Sequence, residues 1–191
     1  MQKPKKNENY FALIYFSAHV LVGLLIEILP LNTYQWLRTF FVKIDSFSPT
    51  FRTWFVWSED PLGCKVMLFL WWVIFIPWGL FWIGRNTSGF IGLDNKIIKG
   101  IWPRVKFLMI GFFFPIVLTY GHLFMDQTEN MAAASLKYGR ISIVPFLINN
   151  GPAYFSLYLV VMSLLYVLSC AFLFALLRDL FSQFKFLKTN I

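Results

Sequence analysis

Residues 153–177 read AYFSLYLVVMSLLYVLSCAFLFALL and hold no charged side chain. A helix rises ~1.5 Å per residue, so about 20 residues cross a ~30 Å hydrocarbon core. This run is long enough to do so. Lipid offers no partner to a backbone N–H or C=O, so the run reads as helix and not as strand. Three further stretches read the same way: residues 11–30, 66–84 and 107–124. Pro77 lies inside the second and Pro115 inside the third. Each proline removes one helical hydrogen bond, which predicts a kink. The expected fold is therefore all-α: one polytopic membrane domain over residues 1–191, with four transmembrane helices.

Composition points the same way. The chain is 58% hydrophobic, 20% aromatic and only 14% charged, where soluble domains carry about 25% charged residues. The net charge of +8 is read first as topology, because Lys and Arg concentrate on the cytoplasmic side of membrane proteins. Of the 17 cations, eleven lie in the N-terminal tail, the connection after the second span and the C-terminal tail. These place both termini in the cytoplasm. The cations form no long basic run, so direct nucleic-acid binding is not expected. Short tails and the lack of an organelle signal point to a bacterial inner membrane. The first run has no small-residue cleavage site after it and reads as a retained helix. Cys64 and Cys170 fall at different depths of this topology and are not expected to pair.

The first outer loop is aromatic rather than polar. Leu37, Phe40, Phe41 and Ile44 follow the spacing of one helical face. Asn32 or Thr33 can cap its start and Ser48-Pro49 ends it. We read residues 33–47 as an amphipathic helix lying in the outer interface, where Trp and Tyr are favoured. Trp36, Phe40, Phe41, Trp54 and Trp57 are the candidate residues for contact with lipid or with a protein partner in the same membrane. In the third loop, residues 141–148 are apolar but too short to span, which predicts an interfacial or re-entrant piece. Asn149-Asn150-Gly151-Pro152 reads as a turn. The cytoplasmic connection carries Arg85, Lys96, Lys99, Arg104 and Lys106, and is suited to an anionic leaflet or a soluble partner.

Four polar residues stand out within or at the ends of the spans: His19, Glu27, Lys65 and His122. A polar group in a span is costly and normally faces inward. Glu27 lies near the outer end of the first span, within reach of headgroup water. Lys65 and His122 fall at the same level and are candidate partners for it. His19 and Glu27 are eight residues apart and share roughly one face. Ser163, Tyr166, Ser169 and Cys170 are candidate bonding partners of His19. Interhelical bonding is the expected role of His19, with a proton relay towards Glu27 as the sharper alternative. Two histidines on separate helices and two separated cysteines make no recognisable metal set, so no metal or cofactor is expected. The chain has no G-x-S-x-G, no aspartate within a span and no phosphate loop, and so no catalytic residue is assigned.

The stretch Gly84-Arg85-Asn86-Thr87-Ser88-Gly89-Phe90-Ile91 resembles a basic, Ser-Gly-Phe-containing connection in membrane proteins of integrating conjugative elements. Residues 24–27 are similar to that family's first span. The family's strongly basic run before this connection and its long soluble insertion have no counterpart here. The resemblance implies an accessory inner-membrane protein of a DNA-transfer or secretion machine, with no catalytic residues to carry over. Four spans with both ends inside are also similar in architecture to immunity proteins against pore-forming colicins. The expected function is thus a non-enzymatic accessory subunit of a larger membrane assembly. An immunity protein is one alternative. A small transporter or membrane enzyme using His19 and Glu27 is the other.

Overall fold

The computed structural model describes the backbone of residues 7–56, 58–90, 101–124 and 143–189. Every regular element among them is helical. The chain opens with α1, Asn7–Ile28, and a single 3-10 turn, Leu31–Thr33. Two short helices follow, α2 at Gln35–Phe47 and α3 at Pro49–Thr53. Next come α4, Pro61–Leu70, a π turn, Trp71–Phe75, and α5, Ile76–Phe90. The remaining helices are α6, Ile101–Leu123, α7, Ile143–Asn149, and α8, Pro152–Thr189.

Among the described residues, three stretches are long and apolar enough to cross a membrane: Tyr10–Ile28, Pro61–Ile83 and Pro152–Phe174. They mark a membrane protein. The expected fourth span falls on α6, whose apolar stretch, Met109–Leu123, is shorter. The cations Arg104 and Lys106 occupy the first turns of that helix.

Helix α8 is the hub. α1, α4, α5, α6 and α7 all pack against it. Hydrocarbon removes the usual hydrophobic drive between helices, so close packing and hydrogen bonds must bring them together. Three glycines show where the backbones approach. A β-carbon added at Gly23 on α1 would stand 2.7 Å from Ser156. One at Gly79 on α5 would stand 2.8 Å from Val167. One at Gly111 on α6 would stand 3.0 Å from Leu173. α1, α5 and α6 thus each meet α8 through a residue without a side chain. Trp71, Phe55, Phe155, Met67 and Leu68 fill the core at the level of α4.

The π turn has a local cause. Pro77 has no N–H to give to the carbonyl four residues back, and its ring crowds that carbonyl. The chain widens here, and the Ile76 N–H donates to the Trp71 carbonyl five residues back. The proline expected to kink this span thus follows a π turn.

The connection from α1 to α4 is firmly tied down. Helix α2 spans Gln35–Phe47 within the expected 33–47, and buries Leu37 and Phe41. Phe41, Phe51 and Phe69 cluster around it, with Phe40 edge-on to Phe69. Ser48 donates its hydroxyl to the Leu123 carbonyl. Thr50 donates to the Gly121 carbonyl at 3.3 Å. The last carbonyls of a helix lack intrahelical partners, so these hydroxyls finish the end of α6. Asp60 caps α4 by accepting from the Gly63 N–H at 3.0 Å, with Pro61 in the first helical position. The short apolar run of the third loop forms α7. Its Asn149 carbonyl accepts from the Glu59 N–H at 2.9 Å. Gly151 then turns the chain into α8 at φ +93, a conformation that favours glycine.

Candidate functional site

His19 lies one turn after Tyr15 on the face of α1 that meets α8 and the π turn. It is fully buried. Its Nδ1 is 2.8 Å from the Tyr15 carbonyl and its Nε2 is 3.1 Å from the Ser163 hydroxyl on α8. A carbonyl only accepts, so Nδ1 carries the hydrogen and Nε2 is the acceptor. Ser163 therefore donates to Nε2. The Trp71 indole N–H in turn donates to the Ser163 oxygen. The chain of donors closes with a neutral imidazole, and the tautomer follows from the partners. Phe75 stacks on the ring at a centroid distance of 3.7 Å, and its carbonyl accepts from the Tyr15 hydroxyl at 2.8 Å. Of the partners named from sequence, Ser163 is the one that bonds His19; the Ser169 hydroxyl donates to the Leu165 carbonyl on its own helix.

His122 repeats the pattern from α6. Its Nδ1 donates to the Leu118 carbonyl at 2.7 Å. Its Nε2 lies 3.0 Å from the Tyr158 hydroxyl of α8 and accepts from it. Trp71 stands 5.0 Å from this ring, centroid to centroid, so one indole links both histidine neighbourhoods. The Trp54 ring centroid stands 5.4 Å away. The buried indole N–H of Trp54 has no partner among the described residues.

Glu27 is exposed at the far end of α1. Its Oε2 accepts from the Ala153 N–H at 3.1 Å, in the first turn of α8. A helix N-terminus carries partial positive charge, so a carboxylate there is favoured. This explains a carboxylate in an apolar run: it ties α1 to the start of α8. The sequence offered Lys65 and His122 as its partners, and both are engaged elsewhere. The Lys65 ammonium donates to both oxygens of Asp45 on α2, at 2.8 and 2.6 Å. His19 and Glu27 do share the face of α1 turned to α8, but they bond to different groups.

Among the aromatic candidates, Trp36 is 68% exposed and Phe40 is 39% exposed. Phe41 and Trp54 are core residues of this chain. Trp57 lies outside the described residues, as do Lys96 and Lys99. Arg85 and Arg104 fall in α5 and α6, and Lys106 is exposed. Both cysteines are free thiols. Among the described residues, no group of three or more His, Cys, Asp or Glu side chains is placed to hold a metal ion.

Sequence reasoning missed Trp71, Tyr158, Tyr15 and Asp45. A signal existed for one of them: Tyr158 carries a hydroxyl within an uncharged span, where a polar group is normally turned inward to bond. The chain matches no known protein family, no curated protein and no solved structure.

Proposed function

We propose that this protein is a non-enzymatic accessory subunit of a larger bacterial inner-membrane assembly. It crosses the membrane four times, α6 supplying the remaining span, with both termini in the cytoplasm and α2 in the outer interface. One observation carries the reading. His19, His122, Glu27 and Lys65, the polar groups that chemistry or transport would use, are each bonded to another part of the same chain. Their bonds join helices. Among the described residues much of the exposed surface is apolar and aromatic, with Trp36 and Phe40 on α2, which also carries the exposed cations Arg38 and Lys43. The resemblance of residues 84–91 to proteins of conjugative elements supports a DNA-transfer or secretion machine as the assembly.

The test is photo-crosslinking in the native membrane from positions 36 and 40, followed by mild-detergent purification. A recurrent membrane partner, lost when Trp36 is changed to Glu, supports the subunit reading. Crosslinks to lipid alone sink it. Capture that depends on an added pore-forming toxin moves the protein to the immunity class. Loss of a solute or proton flux in His19→Ala would instead establish the transporter reading.

A further inference from the structure

The stretch Pro61–Ile83 holds one residue more than a continuous α-helix needs to keep one face inward. Residues on one face of an α-helix recur at steps of three and four. Cys64, Leu68 and Trp71 are buried at steps of four and three. Ile76, Gly79 and Ile83 are buried at steps of three and four. From Trp71 to Ile76 the step is five, and these are the two residues that the wide hydrogen bond joins. The π turn, Trp71–Phe75, takes up the odd residue between two inward faces.

A straight helix would present other side chains. It turns ~100° per residue, so Ile83 would stand ~120° from the face of Trp71, and Trp78 and Trp82 within ~20° of it. Two indoles would then point at α8. There is no room for them. A β-carbon at Gly79 already stands 2.8 Å from Val167. Ile83 packs with Val167 and Ala171 of α8.

The indoles are used elsewhere. Phe11 of α1 stacks on Trp82 at a centroid distance of 3.9 Å and meets Trp78 edge-on at 5.7 Å. Tyr15, one turn further on, lies 5.4 Å from Trp78. One span therefore meets two helices with two different faces. The face without bulk allows close approach to α8, and the indole face stacks on α1.

We propose that the π turn is a one-residue insertion that rotates α5, so that Gly79 and Ile83 meet α8 and Trp78 and Trp82 are left to stack on α1. Pro77 decides where the extra residue sits, because it gives no N–H to the turn before it. The need for that residue comes from the packing of α5 on α8. The turn is thus a register device: one residue sets which face of α5 the bundle sees.

The test changes the number of residues in the turn and reads the register of α5. A β-carbon at 79 would stand 2.8 Å from Val167, which puts cysteines at positions 79 and 167 within disulfide reach. The full chain carries Gly79→Cys and Val167→Cys, with Cys64→Ala and Cys170→Ala removing the native thiols. Oxidation in membranes is expected to close the disulfide. Deletion of Ile74, which is half-exposed within the turn, removes the odd residue and restores steps of three and four. The disulfide should close as fully as before. Insertion of one alanine after Ile74 turns α5 a further ~100°, and the disulfide should be lost. Pro77→Ala should keep it, because α8 still requires the same face.

Loss of the disulfide in the deletion overturns the proposal. So does its persistence in the insertion, since the span would then absorb any length. Loss in Pro77→Ala overturns it too, because the proline alone would then make the turn. A second measurement needs no introduced cysteine. In reversible unfolding in mixed micelles, the chain lacking Ile74 should keep a cooperative transition, and the chain with the added alanine should unfold earlier. The reverse order overturns the proposal.

Discussion

His19 on α1 and His122 on α6 approach α8 from different helices with the same bonds. Each ring donates to the carbonyl one turn before it and accepts from a hydroxyl on α8. Their surroundings differ. Ser163, the partner of His19, also receives the Trp71 indole hydrogen, and Phe75 covers the ring. Among the described residues Tyr158 makes no second bond of that kind, and the indole hydrogen of Trp54 beside His122 has no partner. One site joins three segments through a single hydroxyl. The other joins two, next to a donor left unsatisfied. A buried polar contact locks a bundle most firmly when each member is satisfied by the next.

This contrast can be broken most strongly at Ser163. Ser163→Ala strands both His19 Nε2 and the Trp71 N–H, and an unsatisfied buried group costs about 1–3 kcal/mol. A loss of about 2–3 kcal/mol is expected from reversible unfolding in mixed micelles. Ser163→Thr, which keeps the hydroxyl, should recover most of it. A Thr variant as unstable as the Ala variant would show that volume matters and not the bond. Tyr158→Phe removes one interhelical bond and strands one acceptor, so a loss of about 1 kcal/mol is expected by the same unfolding measurement. Equal losses for Ser163→Ala and Tyr158→Phe would erase the distinction between the two sites.

Smaller effects sharpen the comparison. Glu27→Gln keeps an acceptor at the start of α8 but removes the charge, which should cost about 0.3–1 kcal/mol. Combined with Ser163→Ala it should add nearly independently, because the two contacts are well separated along α1. Strong coupling in that double variant would mean that α1 leaves α8 as one unit. Trp54→Phe deletes an indole N–H that has no partner among the described residues, so its loss should stay within the ~1–3 kcal/mol expected for the buried ring volume it removes. A loss beyond that range, together with a protected indole hydrogen in exchange experiments, would reveal that the N–H has a partner such as water.

Much of the helical layout was readable along the chain. The uncharged run at 153–177 becomes the body of α8, and the amphipathic spacing of residues 37–44 becomes α2. Asn149-Asn150-Gly151-Pro152 turns as its composition requires. These signals are local: a helix period, a span length and a glycine conformation each depend on neighbours in sequence. Less of the candidate site was readable. His19 was expected to bond across helices, with Ser163 among its partners. Nothing local pairs Lys65 with Asp45, twenty positions earlier, in preference to Glu27. The π turn was hidden as well, since Pro77 predicts a disturbance without choosing its form.

By itself, the sequence determined that the chain is helical and built for a membrane. Runs of apolar residues without charge leave the backbone no partner but itself. Only the tertiary structure decided that α8 is the hub, that Glu27 closes the start of that helix and that both histidines bond its hydroxyls. Those outcomes depend on which residues of separate helices reach the same level and face, a matter of depth and rotation that three glycines and a π turn settle through packing.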